Sequence, residues 1–298
     1  MTEDSSRPED SRSRTWTVLE LLRWTTDHFR QHGIESPRLD AEVLLTYALG
    51  IKRLELYLEF ERPVMPEERA RYREMIRRRV SERAPVSILV GEKEFWSHSF
   101  RVSSEVLTPR PDTETLVEGA LVRMPDLDRG YSVLDLGTGS GAIAVSLAVE
   151  RPEARVTATD LSPAALSVAR QNAQNLEMEA RIEFLEGDLF GPVSERCFDL
   201  VVSNPPYLAR QDQLDLPPEL GHEPEVALFG GEDGYSVLKP LSEQVFHRIK
   251  PGGWFLVEMD PGQVKTVSGW LLEQGMDSVE PLKDLAGRER VVACRRPQ

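Results

Sequence analysis

The chain has 298 residues and a formal net charge of −14, a length that allows two domains. No segment approaches the roughly 18 uninterrupted apolar residues of a membrane helix, and residues 1–14 lack the apolar core of a signal peptide. Two cysteines, Cys197 and Cys294, give neither a disulfide framework nor metal-ligand spacing, so a protein of the reducing cytoplasm, without a metal or a membrane, is expected.

Residues 1–14 have no apolar periodicity and read as a disordered tail. A helical module over residues 15–90 follows. Thr17-Val18-Leu19-Glu20 reads as a capping box opening a helix that stops at Gly33, with Leu21, Leu22, Trp24 and Phe29 inward. The pattern predicts a second helix from Ser36-Pro37 to Gly50, with Val43, Leu44, Tyr47 and Ala48 inward, a short one near Arg53–Phe60, and a long one near Pro66–Glu82. The last carries seven arginines from Arg69 to Arg83. They form either a solvated face paired with Glu67, Glu68 and Glu74 or a docking surface for an acidic partner.

Residues 91–114 read as a β-hairpin linker, in which Phe95 to Val102 alternates with Trp96, His98, Phe100 and Val102 facing one way. His98 reads as a packed or surface residue. Arg110, in a proline-braced loop, either guards a ligand or forms a structural ion pair. Residues 115–298 alternate strand and helix: helix 115–124, strand 132–137, helix 141–150, strand 155–160, helix 163–175, strands 181–185 and 198–203. A long irregular stretch, 208–232, reads as a substrate-facing lip. Helix 233–249, strand 254–258, helix 262–274 and two strands near 278–284 and 289–295 complete the pattern, which predicts an α/β parallel sheet with an antiparallel hairpin at one edge.

Four strand ends carry candidate chemistry. Gly137-Thr138-Gly139-Ser140-Gly141 is a glycine turn between strand and helix, and Gly137-x-Gly139-x-x-Ala142 also satisfies a dinucleotide fingerprint. Asp160, about twenty residues on, can grip a ribose hydroxyl pair, so a nicotinamide or an adenosyl ligand both fit; it is equally placed to cap the next helix. Asp188 can accept from an adenine amino group while Leu189 packs on the ring. Asn204-Pro205-Pro206-Tyr207 closes the fourth strand. The Asn204 side-chain oxygen and the Pro205 carbonyl form an acceptor pair for both hydrogens of a planar NH2 group. Pro205 and Pro206 remove competing donors, and the Tyr207 ring offers an apolar wall. All four sites are expected on one rim of one sheet.

Charge is uneven. Residues 1–90 carry 16 basic and 16 acidic side chains, and residues 91–298 carry 20 against 34. A half this acidic repels a phosphate backbone, which argues against DNA or RNA as a partner and is compatible with a basic protein partner.

These motifs, in this order, resemble the release factor glutamine methyltransferases, a family of the class I S-adenosylmethionine-dependent methyltransferases. The resemblance covers nearly everything after residue 15. It rests on Ser36-Pro37-Arg38-Leu39-Asp40-Ala41-Glu42, Gly91-Glu92-Lys93-Glu94-Phe95-Trp96, Thr108-Pro109-Arg110-Pro111-Asp112-Thr113-Glu114, the four strand ends, Glu223-Pro224, Gly230 to Gly234, and Gly287-Arg288-Glu289-Arg290. Two stretches depart from the family: Glu258 to Gln263, where an acid-Ile-Gly run is expected, and Ser87 to Val90, where a tyrosine is expected. The resemblance implies a Rossmann-like methyltransferase sheet preceded by a small N-terminal helical bundle that docks the substrate protein. It implies S-adenosyl-L-methionine as cofactor, held by Gly137, Thr138, Gly139, Ser140, Gly141, Asp160, Asp188, Leu189 and Asn204. The catalytic and substrate-binding residues it implies are Asn204, Pro205, Pro206 and Tyr207. The implied partners are class I peptide chain release factors, methylated on the glutamine of a Gly-Gly-Gln motif, with no direct nucleic acid and the enzyme a monomer. A ribosomal-protein glutamine methyltransferase, an adenine-N6 nucleic-acid methyltransferase, an inactive adenosyl-binding scaffold and a nicotinamide-dependent oxidoreductase are the rival readings.

Overall fold

The computed structural model describes residues 15–298; the expected disordered tail, residues 1–14, lies outside them. The described chain divides into two compact units, one ending at Val90 and the other running from Gly91 to Gln298.

The first unit is helical. Helix α1 (Val18–Gln31) opens on a capping box in which Thr17 Oγ1 accepts from Glu20 N at 3.3 Å and Glu20 Oε2 accepts from Thr17 N at 3.0 Å. Helix α2 (Pro37–Leu49) starts with proline in its first turn, where an N–H has no partner to lose, and ends on Gly50 in the left-handed conformation. Helices α3 (Arg53–Leu58), α4 (Pro66–Ser81) and the short α5 (Val86–Val90) follow. The core gathers Leu22, Phe29, Leu44, Leu45, Leu56 and Tyr72. Two inward assignments are corrected. Trp24 is 47% exposed and stacks on His28, and Tyr47 is 51% exposed while Leu45 fills the interior. Both aromatic rings flank the apolar stripe, and leucines at neighbouring helical positions complete the core without them.

The second unit opens with hairpin β1 (Glu92–Phe95) and β2 (His98–Arg101). Trp96 and Ser97 form its turn, with φ of +48° and +60°. The alternation read from 95 to 102 therefore spans a turn and one strand, because a two-residue turn with positive φ suits the twist of a tight hairpin. Beyond it come α6 (Glu114–Val122), β3 (Ser132–Leu136), α7 (Ala142–Glu150), β4 (Arg155–Asp160), α8 (Pro163–Asn175), β5 (Ile182–Glu186) and β6 (Phe198–Ser203). The chain continues through α9 (Glu225–Leu228), α10 (Leu238–Gln244), β7 (Ile249–Glu258), α11 (Val264–Glu273), β8 (Asp277–Lys283) and β9 (Glu289–Arg295).

The seven-stranded sheet runs β5-β4-β3-β6-β7-β9-β8, parallel from β5 to β7, with β9 and β8 antiparallel at one edge. This is the α/β architecture that the strand-helix alternation predicts. Strands β3 and β6 sit centrally and are buried almost throughout, as strands covered on both faces must be. The chain leaves β3 towards β4 and β5, then returns to β6 on its other side, so the β3/β6 boundary is the switch point where open α/β sheets bind ligands. The expected helix over 233–249 is shorter than predicted. Only Leu238–Gln244 is α-helical, and β7 starts early at Ile249, tolerating Pro251-Gly252-Gly253 by a register shift against β6.

Candidate active site

A cavity of about 400 Å³ opens at the carboxyl ends of the parallel strands, a size typical of small-molecule sites. Gly137, Thr138, Gly139, Ser140, Asp160, Asp188, Leu189, Asn204, Pro205 and Pro206 all line it. Two of the residues named from sequence do not. Gly141 serves as the left-handed cap of α7, and the Tyr207 ring packs among the buried side chains on one face of the sheet. The Tyr207 hydroxyl lies 3.4 Å from Glu258 Oε1, so the residue turns away from the cavity and the wall expected from it is not there. Burial and the Glu258 charge push the Tyr207 phenol well above its ordinary pKa.

The glycine turn is built to come close to a ligand. Gly137 and Gly139 hold φ of +70° and +55°, where a side chain is strained, and nothing lies within 4 Å of the place a Cβ would occupy on either. The turn is nevertheless a poor anion cradle. The N–H groups of Gly137 and Thr138 donate to Thr159 O, Gly141 N donates to Thr138 O, and Gly139 N donates to Asp160 Oδ2. Beneath the turn, Asp135 is fully buried. Its Oδ2 accepts from Thr138 Oγ1 at 2.7 Å and from Ala144 N at 3.2 Å in the first turn of α7. Burial pushes its pKa up to about 7, opposed by those two donors. One N–H of the first turn of α7, a group that binds phosphate in dinucleotide folds, is thus satisfied by the protein's own carboxyl group.

Asp160 braces the turn and also belongs to the cavity wall. Its Oδ2 accepts from Gly139 N at 2.8 Å and its Oδ1 from Ser162 N at 2.9 Å, which leaves each oxygen a lone pair. Capping of α8 falls to Ser162, whose Oγ accepts from Ala165 N. Leu189 holds φ of +43°, a strained conformation for leucine beside Asp188. The open glycine backbone, the acceptor at Asp160 and the apolar surface at Leu189 fit the adenosyl ligand that the resemblance implies.

At the end of β6, Asn204 Nδ2 donates to Thr113 Oγ1 at 3.1 Å, while Asn204 Oδ1 is buried without any hydrogen-bond partner. An unsatisfied buried acceptor costs about 1–3 kcal/mol, so it marks a place where a donor is expected to arrive. Two groups that the sequence reading did not single out stand behind it. Thr113 lines the cavity, and Glu258, at the end of β7, is almost wholly buried with its pKa raised to about 7 by that burial. Both lie in stretches compared with the family above, but a threonine and a glutamate 145 positions apart show no joint role until the fold joins them.

Arg110 forms an ion pair with Glu223, Nη2 to Oε2 at 2.5 Å, and also lines the cavity, so the structural and the ligand-facing readings both have an observation behind them. Residues 208–232 are less irregular than expected. Two 3₁₀ segments (Arg210–Asp215 and Pro218–His222) and α9 lie within them, and Leu208 N to Leu228 O and Gly230 N to Leu208 O close the stretch on itself. Pro224, Val226 and Ala227 face the cavity. Gln263, in one of the two stretches that depart from the resemblance, donates through Nε2 to Tyr207 O at 3.1 Å and Gly234 O at 3.0 Å, tying β7's exit to this stretch.

A family model described as the PrmC N-terminal domain matches residues 20–91, and one described as the methyltransferase small domain matches residues 114–224. The chain is 44% identical over 295 residues to the release factor glutamine methyltransferase of Rhodopirellula baltica, covering 97% of this chain and 99% of that one. With the release factor glutamine methyltransferase of Geobacter sulfurreducens the identity is 41% over 281 residues, covering 94% and 97%. Among solved structures, a methyltransferase from Pyrococcus furiosus shares the fold with a TM-score of 0.52 at 18% identity, over 78% of this chain and 100% of that one.

Proposed function

This chain belongs to the release factor glutamine methyltransferase family, and from that premise we propose that it transfers a methyl group from S-adenosylmethionine to the side-chain amide nitrogen of a glutamine in peptide chain release factors. The target we assign is the glutamine of the Gly-Gly-Gln motif of class I release factors. When bound, S-adenosylmethionine supplies an electrophilic methyl group on a sulfonium. The chemistry left to the protein is therefore alignment of a poor nucleophile.

One observation carries the reading: the buried, unpartnered Oδ1 of Asn204 at the cavity. A carboxamide nitrogen is unreactive because its lone pair is delocalised into the carbonyl. Accepting one N–H at Asn204 Oδ1 and the other at the Pro205 carbonyl fixes the plane of the substrate amide, and the two dipoles favour positive charge on its nitrogen as the new bond forms. Alignment of this kind is worth up to roughly 7–11 kcal/mol. No base is needed before transfer, since the N-methylated amide sheds its proton afterwards. Gly137 to Ser140 and the start of α7 bind the cofactor, with Asp160 accepting from ribose hydroxyls and Asp188 and Leu189 at the adenine. Pro206 limits the space around the substrate.

The nicotinamide reading is set aside because the N–H groups of Gly137, Thr138, Gly139, Gly141 and Ala144 already donate within the protein, which leaves few donors there for a pyrophosphate. The acidic balance of residues 91–298, 20 basic against 34 acidic side chains, argues for a protein rather than a nucleic-acid substrate. We take the enzyme to act as a monomer in the cytoplasm, where release factors work, with the helical unit of residues 15–90 as the part that docks them. Mass spectrometry of a purified release factor before and after incubation with enzyme and S-adenosylmethionine tests the assignment. A gain of one methyl on the Gly-Gly-Gln glutamine is expected; methylation of ribosomes instead, with the release factor untouched, sinks it.

A further inference from the structure

Three glycines with φ of +70°, +55° and +80° let the turn from Gly137 to Gly141 approach a ligand, and the same freedom leaves its peptide planes in need of outside support. Two side chains from neighbouring elements supply it. Asp160, at the end of β4, accepts from Gly139 N at 2.8 Å. Asn172, near the end of α8 and only 1% exposed, donates through Nδ2 to Ser140 O at 2.8 Å. Helix α8 lies against the turn so closely that a Cβ on residue 141 would stand 3.0 Å from Ala169 Cβ, three positions before Asn172 on the same helix face.

The rest of the Asn172 amide engages the hairpin. Val102 N donates to Gly91 O, so Arg101, opposite Glu92, holds a non-hydrogen-bonded position whose own N–H and C=O face away from β1. Asn172 Oδ1 accepts from Arg101 N at 2.8 Å and Nδ2 donates to Arg101 O at 3.0 Å, closing that edge of β2 as a neighbouring strand would. Both hydrogens of Nδ2 are thereby used, and partners of one N–H and two carbonyls fix which end of the amide is which.

We propose that Asn172 is a positioning residue for S-adenosylmethionine: by holding Ser140 O towards α8 it fixes the peptide plane between Ser140 and Gly141, and through the same amide it couples hairpin β1–β2 to the shape of the cofactor turn. This rests on the reading of Gly137 to Ser140 as the cofactor site. Ser140 lines the cavity and Asn172 does not, so its effect on the ligand passes through the turn. Gly141 tolerates φ of either sign, so without the donor the Ser140–Gly141 plane can rotate and release Gly141 N from Thr138 O, to which it donates at 2.8 Å. Coupling between two sites is reciprocal, and a ligand that orders the turn therefore tightens the hold on Arg101.

The test uses the whole enzyme with S-adenosylhomocysteine as the probe. Asn172→Asp keeps the shape and an acceptor for Arg101 N but turns a carboxylate oxygen on two carbonyls; Asn172→Leu keeps the volume without a polar group. Both should raise the calorimetric Kd by about tenfold, and KM for S-adenosylmethionine with it, while KM for a release factor and kcat at saturating cofactor stay within about threefold. In the ligand-free variants, NMR relaxation dispersion should show exchange at Gly139 and Gly141 that the native enzyme lacks. Val267→Ala, a core truncation on α11, should lower the urea midpoint and leave Kd unchanged. A native-like Kd in both Asn172 variants, or an equal rise in Val267→Ala, makes Asn172 a residue of stability alone and overturns the proposal. The native protein decides the matter even if the variants fail to fold: saturation should slow exchange of the Arg101 N–H at least about threefold more than that of N–H groups shared between β1 and β2, and equal slowing overturns the coupling. A native enzyme that binds no S-adenosylhomocysteine removes the reading of the glycine turn and the proposal with it, whereas equal binding by native and variant proteins removes the proposal alone.

Discussion

Asn204 and Asp160 both end a parallel strand and both line the cavity, yet their surroundings separate their tasks. Asp160 shares its oxygens with Gly139 N and Ser162 N and so couples the ligand to the shape of the glycine turn. Asn204 commits only its nitrogen. Asn204→Ala should therefore lower kcat by at least about 10²-fold, the usual cost of removing one electrostatic anchor of a transition state, while calorimetric affinity for S-adenosylhomocysteine stays close to native. A matched loss of both would contradict this separation. Two buried carboxyl groups make a second expectation at this scale. Asp135 and Glu258 are each raised to about 7 from ordinary values of 3.8 and 4.5. A carboxyl group with a folded pKa above its unfolded one takes up a proton on folding between the two, so stability falls as pH rises through that interval. The urea midpoint of the native protein should decline from about pH 5 to about pH 7, and Asp135→Asn or Glu258→Gln should each remove part of the slope. An identical slope in both variants would locate the linkage elsewhere.

At the level of elements, helix α4 shows why a run of arginines resists a single interpretation. Arg79 is buried and its Nε pairs with Asp40 of α2 at 2.9 Å, whereas Arg77 and Arg78 pair with Glu74 and Glu82 in the open. Removing one partner of a buried pair strands a charge and costs about 3–5 kcal/mol; exposed pairs are worth about 0–1 kcal/mol. Thermal unfolding should accordingly show a large loss for Arg79→Ala and almost none for Arg77→Ala. Comparable losses would mean that the burial of Arg79 carries no energetic weight. Local signals served best where they are self-contained: the Thr17–Glu20 box and Gly50 mark real helix ends because capping satisfies backbone groups within one turn. They served worst where backbone shape depends on a neighbour. Residues 233–249 read as one helix, but pairing of Ile249 with Phe198 draws part of that segment into the sheet.

Across the whole molecule, the cavity belongs to the second unit alone, and every residue lining it lies between Glu105 and Leu241. A saturating cofactor analogue, at about 100 times its Kd, stabilises its host by about 2.7 kcal/mol. Hydrogen exchange should slow within residues 91–298 and stay unchanged within 15–90; protection spread evenly over both would refute a site confined to one unit. The alternation of strands and helices, the glycine turn and the Asn-Pro-Pro-Tyr motif could all be read from the linear chain, because periodicity and turn chemistry are local properties written in adjacent residues. From them came the fold class and the rim on which the chemistry sits, while the kind of cofactor followed from the family resemblance. The folded chain added what adjacency cannot encode. Tyr207 turns from the cavity to Glu258, Asp135 accepts from the first turn of α7, and Thr113 meets Asn204 across 91 positions, since such contacts arise only when separate segments are packed at one sheet edge and must satisfy each other's buried polar atoms.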